Sequence, residues 1–356
     1  LKTPPNRGVF YYLELYMRWS RLIAWLALVL LLALGWILYS LWGPAVSLFE
    51  KRYFYVSKFE TPESIAQQLR TESVLSSDYW FLLVSNKLRL EKIKPGRYQL
   101  KPGMSIIQLV RMFRNGQQSY VKLSIVKERT LQGLAGKIGN RTDTQIDSTS
   151  LLAFLLNEDS LRRFGVDSNT VLSIVMPYTY SMGWAETPGQ ILQRMHTRYQ
   201  QFWDSTRTRK ATAKGLTPLQ VSILASIVEE ETNRKDDRYK IASTYLNRLR
   251  IGMKLQADPT VKYVTRNFSL NRIFYGHLAL VSPYNTYLNK GLPPGPICTP
   301  SINAIEAVLD APETDYLFFV ASYAFDGTTL FSKSYAEHQQ YVKRFHQEQI
   351  RRSKTP

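Results

Sequence analysis

Cysteine, histidine and acid are all scarce in this chain, and each scarcity excludes something. One cysteine, Cys298, among 356 residues rules out an intramolecular disulfide. A lone cysteine reads instead as a small buried apolar side chain. The 4 histidines are scattered, with no HExxH and no paired spacing, so neither a metal site nor another cofactor is expected. Acids number 28 against 46 Lys+Arg, a net charge of +18. Such an excess favours an anionic partner: nucleic acid, phospholipid headgroups or an acidic polymer such as the cell wall. A literal S-x-x-K at Ser124–Lys127 has no later K-T-G to accompany it, which removes serine chemistry of the penicillin-binding type. That stretch, YVKLSIVK from Tyr120 to Lys127, alternates Val121, Leu123 and Ile125 as a half-buried strand does.

Apolar and aromatic residues are plentiful. Aromatics make up 13% and charged residues 21%, enough apolar surface to fold, and the length suits two or three modest domains. Residues Leu22 to Trp42 carry no charge over 21 positions, long enough to cross a hydrocarbon layer of roughly 30 Å as a helix. A cleaved signal peptide, with Ala45-Val46-Ser47 as its cleavage site, is the alternative, but signal cores are shorter, about 7–15 residues. Lys2, Arg7, Arg18 and Arg21 precede the run, so the positive-inside bias leaves residues 1–21 in the cytoplasm and sends the rest outside, although Lys51 and Arg52 weaken the asymmetry. Trp36, Tyr39 and Trp42 fit an interfacial belt on the far side. That orientation excludes a nucleic-acid partner.

Beyond the apolar run, Phe49 to Val56 reads as a strand, Pro62 to Arg70 as a helix opened by Thr61-Pro62, Arg97 to Leu100 as a second strand and Met104 to Phe113 as a second helix. The two helices share Ser, Ile, Gln and Arg at equal offsets. Asn140 to Ser150 is polar and aperiodic, a loop or domain junction. From Thr187-Pro188 a single long helix is expected toward Lys214, with His196 on its surface.

The densest acid cluster lies in LASIVEEETN, Leu224 to Asn233. Thr217-Pro218 with Gln220 forms a capping box that starts the helix carrying it. Counting back three and four positions puts Glu231 under Leu224, Ile227 and Val228, while Glu229 continues a stripe of small residues, Ser222, Ala225 and Ser226, that leaves room for a ligand. Glu230 is expected to face solvent. Acids near a helix C-terminus oppose the dipole, and a cluster with partial burial raises a carboxyl pKa, as a general acid requires. Ion-pair networks produce similar clusters, so both readings stand.

A second amphipathic helix, Asp237 to Arg250, precedes loops rich in Pro, Gly, Asn and Tyr: MKLQADPT at 253–260, SPYNTY at 282–287 and GLPPGPICTP at 291–300. In these, Tyr284 and Tyr287 are candidates to stack on sugar faces, and Gln256, Asp258 and Asn285 to bond hydroxyls.

Taken in order, ASIVEEET at 225–232, YLNRLRIGMKLQADPTVKY at 245–263, SPYNTY, GLPPGPICTP, YLFFVA at 316–321 and a terminal helix after FSKSYAEH at 331–338 resemble the endolytic murein transglycosylase, or YceG-like, family. The resemblance implies an α+β protein: a transmembrane helix at 22–42, a LysM-like small α/β subdomain at 47–127 and a mainly helical catalytic domain at 128–356. The LysM-like region would bind glycan or serve as a spacer. The activity implied is cleavage of nascent peptidoglycan strands between MurNAc and GlcNAc from the outer side of the inner membrane, within reach of penicillin-binding proteins and other wall-synthesis components.

The catalytic glutamate maps to Glu229, with Glu231 as a possible supporting acid and Gln256, Asp258, Tyr284, Asn285 and Thr286 as substrate contacts. The family commonly has Glu-Lys-Glu where this chain has Glu229-Glu230-Glu231, which raises local negative charge. A muramidase-type hydrolase, with Asp258 as the second carboxylate, and a non-catalytic wall-binding scaffold are the alternatives.

Overall fold

A computed structural model describes residues 7–47, 52–141, 143–270 and 272–353, with side chains from residue 15 onward. Lys2, Phe49 and Lys51 fall outside the described residues, as does the side chain of Arg7. The chain divides into two compact units, one of Leu1–Tyr120 with Gly183–Ala185, the other of Val121–Met182 with Glu186–Pro356. The class is mixed α+β, with three two-stranded antiparallel sheets and many helices among the described residues.

The first unit begins with α1 (Arg7–Trp42), a helix of 36 residues that extends N-terminally past the predicted 22–42 because Arg18 and Arg21 are good helix formers. Its portion Leu15–Trp42 is long and apolar enough to cross a membrane, and none of it is buried inside the protein. Then follow β1 (Arg52–Val56), α2 (Pro62–Thr71), α3 (Tyr79–Lys87), β2 (Gly96–Leu100) and α4 (Ile106–Arg114). Thr61 caps α2, with Pro62 at its first position, and a Ser105–Gln108 capping box starts α4. β1 and β2 pair antiparallel, Arg52 opposite Leu100 and Val56 opposite Gly96. Phe54, Val56, Tyr98 and Leu100 face inward and meet Ile65, Leu69, Phe81, Leu109 and Phe113 in one core. The apolar residues of α3, YWFLLVSNK, make no clear stripe, so periodicity does not mark it as a helix.

The second unit holds β3 (Val121–Ile125), α5 (Leu131–Gly139), α6 (Ser148–Leu156), α7 (Glu158–Arg162), a 3-10 turn at Val171–Ile174 and β4 (Tyr178–Met182). β3 pairs antiparallel with β4 and buries Val121, Leu123 and Ile125, the face its alternation predicts. The expected long helix after Thr187 is two helices, α8 (Pro188–Phe202) and α9 (Ser205–Ala213). Asp204 breaks it by accepting from the Arg207 N–H at 2.8 Å as the cap of α9. His196 is half-buried rather than surface-facing, edge-on to Phe164 and stacked over Tyr199, and burial lowers its pKa.

α10 (Pro218–Glu231) is the centre of the unit. Its residues from Val221 to Val228 are all buried, as befits a helix apolar all round, and it packs against α9, α11 (Lys235–Arg250), α12 (Asp258–Thr265) and α14 (Ile302–Leu309). Between α12 and α14 lies α13 (Tyr275–Leu278). A hairpin of β5 (Phe318–Ala321) and β6 (Thr329–Ser332) and the helix α15 (Tyr335–Ser353) complete the unit.

Candidate active site

The Thr217–Gln220 capping box and Pro218 start α10 as the sequence predicts, and Thr232 ends it in an extended conformation. Its last turn therefore delivers Glu229, Glu230 and Glu231 from the middle of the core to the edge of a cleft of about 430 Å³. Among the described residues that cleft is lined by Lys127, Arg129, the run Glu229 to Arg234, and Gly327 of the β5–β6 turn.

The three carboxyls have three different settings. Glu229, with its side chain 10% exposed, accepts from the Ser301 hydroxyl and lies 3.5 Å from the Arg238 guanidinium. Arg238 is oriented by donating to the Thr232 carbonyl at 3.0 Å. Glu230 does not face solvent as expected: Lys127 and Arg129 each reach it at 2.9 Å, and its side chain is 16% exposed. Burial pushes its pKa up, but hydrogen bonds and charge from Arg129 and Lys127 outweigh that and hold it below the ordinary carboxylate value. The two cations reach it because the segment 127–129 is clasped to 298–300. Glu128 N–H donates to the Thr299 hydroxyl at 2.9 Å, and Thr299 N–H donates to the Glu128 carbonyl at 2.8 Å.

Glu231 borders the cleft, but its carboxyl is enclosed, as its place under the apolar face of α10 predicts. Burial raises its pKa to about 7, reinforced by the charge of Asp258 and opposed by the hydrogen bond from Tyr245 and by Arg248 and Lys262. Arg248 is itself buried, donating to the carbonyls of Leu317 and Leu255.

The stripe of small residues does not leave room for a ligand. Ile297 N–H donates to Ser226 Oγ at 3.0 Å and Cys298 lies against the Ser226 carbonyl, so the protein's own loop fills the stripe. Cys298 is buried, as a lone cysteine was expected to be.

The five predicted substrate contacts lie in one neighbourhood, none of them lining the cleft. Gln256 is exposed and holds a left-handed φ of 49°, unusual for a residue with a side chain; its N–H donates to the Thr286 carbonyl. Asp258 is exposed and accepts from the Tyr287 hydroxyl at 2.6 Å. Tyr284 is buried with its ring 4.8 Å from that of Tyr263, so little of it is exposed for stacking. The Asn285 amide donates to the carbonyls of Leu278 and Leu280, and the Thr286 hydroxyl accepts from the Ala257 N–H and meets Thr260 at 2.9 Å. Both are fully buried. Arg129, Arg238, Ser301 and Gly327 were not singled out from the sequence, and Lys127 only as the end of the S-x-x-K that was set aside. Only Ser301 carried a local signal, as the cap of α14.

The recessed cleft thus gathers one carboxyl paired with two cations, one enclosed with a raised pKa, and one hydrogen-bonded at its edge, a set of groups able to exchange protons. A model of the YceG-like family matches residues 54–344, most of the chain, and the protein belongs to that family. Among relatives, the endolytic murein transglycosylase of Bacillus subtilis is 27% identical over 297 residues, 79% of this chain and 81% of that one. The endolytic murein transglycosylase of Streptococcus pneumoniae is 26% identical over 287 residues, and the match spans 70% of this chain but only 50% of the pneumococcal one. A crystal structure of a YceG-like protein from Listeria monocytogenes is similar at a TM-score of 0.53 and 26% identity, covering 82% of this chain and 98% of that one.

Proposed function

We propose that this protein is a membrane-anchored endolytic lytic transglycosylase that cuts peptidoglycan strands between MurNAc and GlcNAc, with Glu229 as its acid and base. The observation that carries this reading is the division of labour among the three glutamates. Glu230 is held by two cations at 2.9 Å and Glu231 is enclosed against Tyr245, whereas Glu229 lines the cleft with a single cation, Arg238, at 3.5 Å beside the Ser301 hydroxyl. The names of the relatives supply the substrate.

One acid suffices for this chemistry. Ordinary glycoside hydrolysis uses two carboxyls about 5–9.5 Å apart, one to protonate the leaving oxygen and one to act as nucleophile or to activate water. In the transglycosylase route, protonated Glu229 donates to the glycosidic oxygen. The resulting carboxylate then takes the proton of the MurNAc C6 hydroxyl, whose oxygen closes the 1,6-anhydro ring. Arg238 and the Ser301 hydroxyl compensate the charge on Glu229 between the two transfers. Acid–base assistance of this kind is worth roughly 10²–10⁴-fold. Glu231 acts as a supporting acid whose pKa, raised to about 7 by burial, keeps it partly protonated near neutrality and so limits the negative charge of the cluster.

Gln256 and Asp258 are proposed as direct sugar contacts, because both are exposed; Tyr284, Asn285 and Thr286 hold the loop that presents them. The segment 47–127 is proposed as a LysM-like subdomain, α1 as an inner-membrane anchor with its N-terminus in the cytoplasm, 128–356 as the catalytic domain outside the bilayer, and penicillin-binding proteins as neighbours in wall synthesis.

Digestion of purified glycan strands by the wild-type protein and by Glu229→Gln, with product ends identified by mass spectrometry, tests the reading. Expected are 1,6-anhydro ends from the wild type and at least a hundredfold slower cleavage by the folded variant. Reducing ends would instead indicate a muramidase with Asp258 as partner, and unchanged cleavage by the variant would remove Glu229 from the mechanism.

A further inference from the structure

The loop from Arg272 to Lys290 holds apolar side chains out in solvent. Tyr275 is 91% exposed, Val281 94% and Phe274 59%, with Leu280 and Leu288 also exposed. The loop is internally braced. The Asn285 side-chain amide donates to the carbonyls of Leu278 at 3.0 Å and Leu280 at 2.8 Å, and that of Asn289 donates to the carbonyls of Ser282 and Asn285. A rigid segment that presents rings and aliphatic chains outward contributes nothing to a core; such patches mark an interaction site.

Charge selects the partner. Between Asp258 and Glu306 the sequence contains no acid at all, but it has Lys262, Arg266, Arg272 and Lys290. The Arg272 guanidinium lies 5.8 Å from the Phe274 ring, so a cation and an aromatic sit together at the tip. Aromatic and aliphatic side chains flanked by cations suit an anionic lipid surface, where the apolar groups enter the boundary between headgroups and acyl chains and the cations stay among the phosphates.

We propose that the 272–290 loop is a second membrane contact, which inserts Phe274, Tyr275 and Val281 into an anionic phospholipid leaflet. This rests on the reading of α1 as an anchor. An anchor in the same chain holds the loop at a high local concentration of lipid. A contact at a second point restricts how the acid cleft can turn relative to the bilayer.

The experiment uses the full chain reconstituted into vesicles of phosphatidylglycerol mixed with phosphatidylcholine. Cys298 is buried, so a thiol-reactive, polarity-sensitive fluorophore will label Tyr275→Cys or Val281→Cys selectively, and Ile251→Cys, an exposed site on α11's C-terminal cap, serves as control. Expected are a blue-shifted emission at 275 and 281, quenched when acyl-brominated lipid replaces the ordinary lipid, with neither effect at 251. Vesicles of phosphatidylcholine alone should weaken both. Flotation of the labelled chain reports the anchor separately. A chain that floats while the probes at 275 and 281 stay polar and unquenched overturns the loop contact alone; a chain that fails to float overturns the anchor. A blue shift in detergent on adding glycan strands, without quenching in vesicles, would reassign the loop to sugar and also overturn the proposal.

Discussion

Glu231 ties the folded state to pH at the scale of a single side chain. Its folded pKa of about 7 lies above the ordinary 4.5, so the native protein binds the proton more tightly than the unfolded chain does. The corresponding stability is fully present below pH 4.5 and is lost as pH rises through about 7, a change on the order of 3 kcal/mol. Urea denaturation at several pH values should show this fall in the wild type and a flatter profile in Glu231→Gln. Tyr245→Phe removes the hydrogen bond that opposes the shift, so the Glu231 titration should move higher still, read by carbon NMR of the labelled carboxyl. The place of Glu231 was legible from helical spacing alone, because its neighbours are one turn away. The setting of Glu230 was not, since Lys127 and Arg129 are about a hundred positions distant and no local pattern announces them.

At the scale of elements, α10 is set by signals inside its own sequence, and those were readable: Thr217 as cap, Pro218 at the first position and Gln220 closing the box. Thr217→Ala should cost about 1 kcal/mol in denaturant melts, with little change in the cleft. Local signals were also misread where two of them competed. The apolar rhythm of Ile191, Leu192, Met195 and Phe202 suggested one continuous helix past the point where Asp204 caps a new one. The loop before α14 obeys a different constraint. A Cβ on Gly295 would come 2.0 Å from the Asn169 carbonyl oxygen and 2.9 Å from the Tyr284 hydroxyl. Gly295→Ala should therefore destabilise the protein by roughly 1–3 kcal/mol through overpacking, and shift the 297–298 segment off Ser226, which thermal melts and glycan cleavage rates would both register. The glycine was visible in the sequence, but the backbone it must approach lies over a hundred residues earlier.

At the scale of the whole molecule, the apolar stretch of α1 is left unburied by the described residues, with only its C-terminal end, through Trp36 and Leu41, touching the first unit's core. The full chain should float with phospholipid vesicles through washes at high salt and alkaline pH, whereas a chain lacking residues 1–46 should keep only a weak association that salt abolishes. The division into units was only partly legible, because β3 follows the first unit without a break yet pairs with β4, and that partner strand is some fifty residues away. The clasp between Glu128 and Thr299 joins positions 171 apart in sequence. A polypeptide made from its N-terminus carries its three glutamates well before Thr299 and Ser301 arrive to set Lys127, Arg129 and the Glu229 hydroxyl bond in place. A product that ends before Thr299 would therefore carry the three glutamates without the clasp that sets their partners.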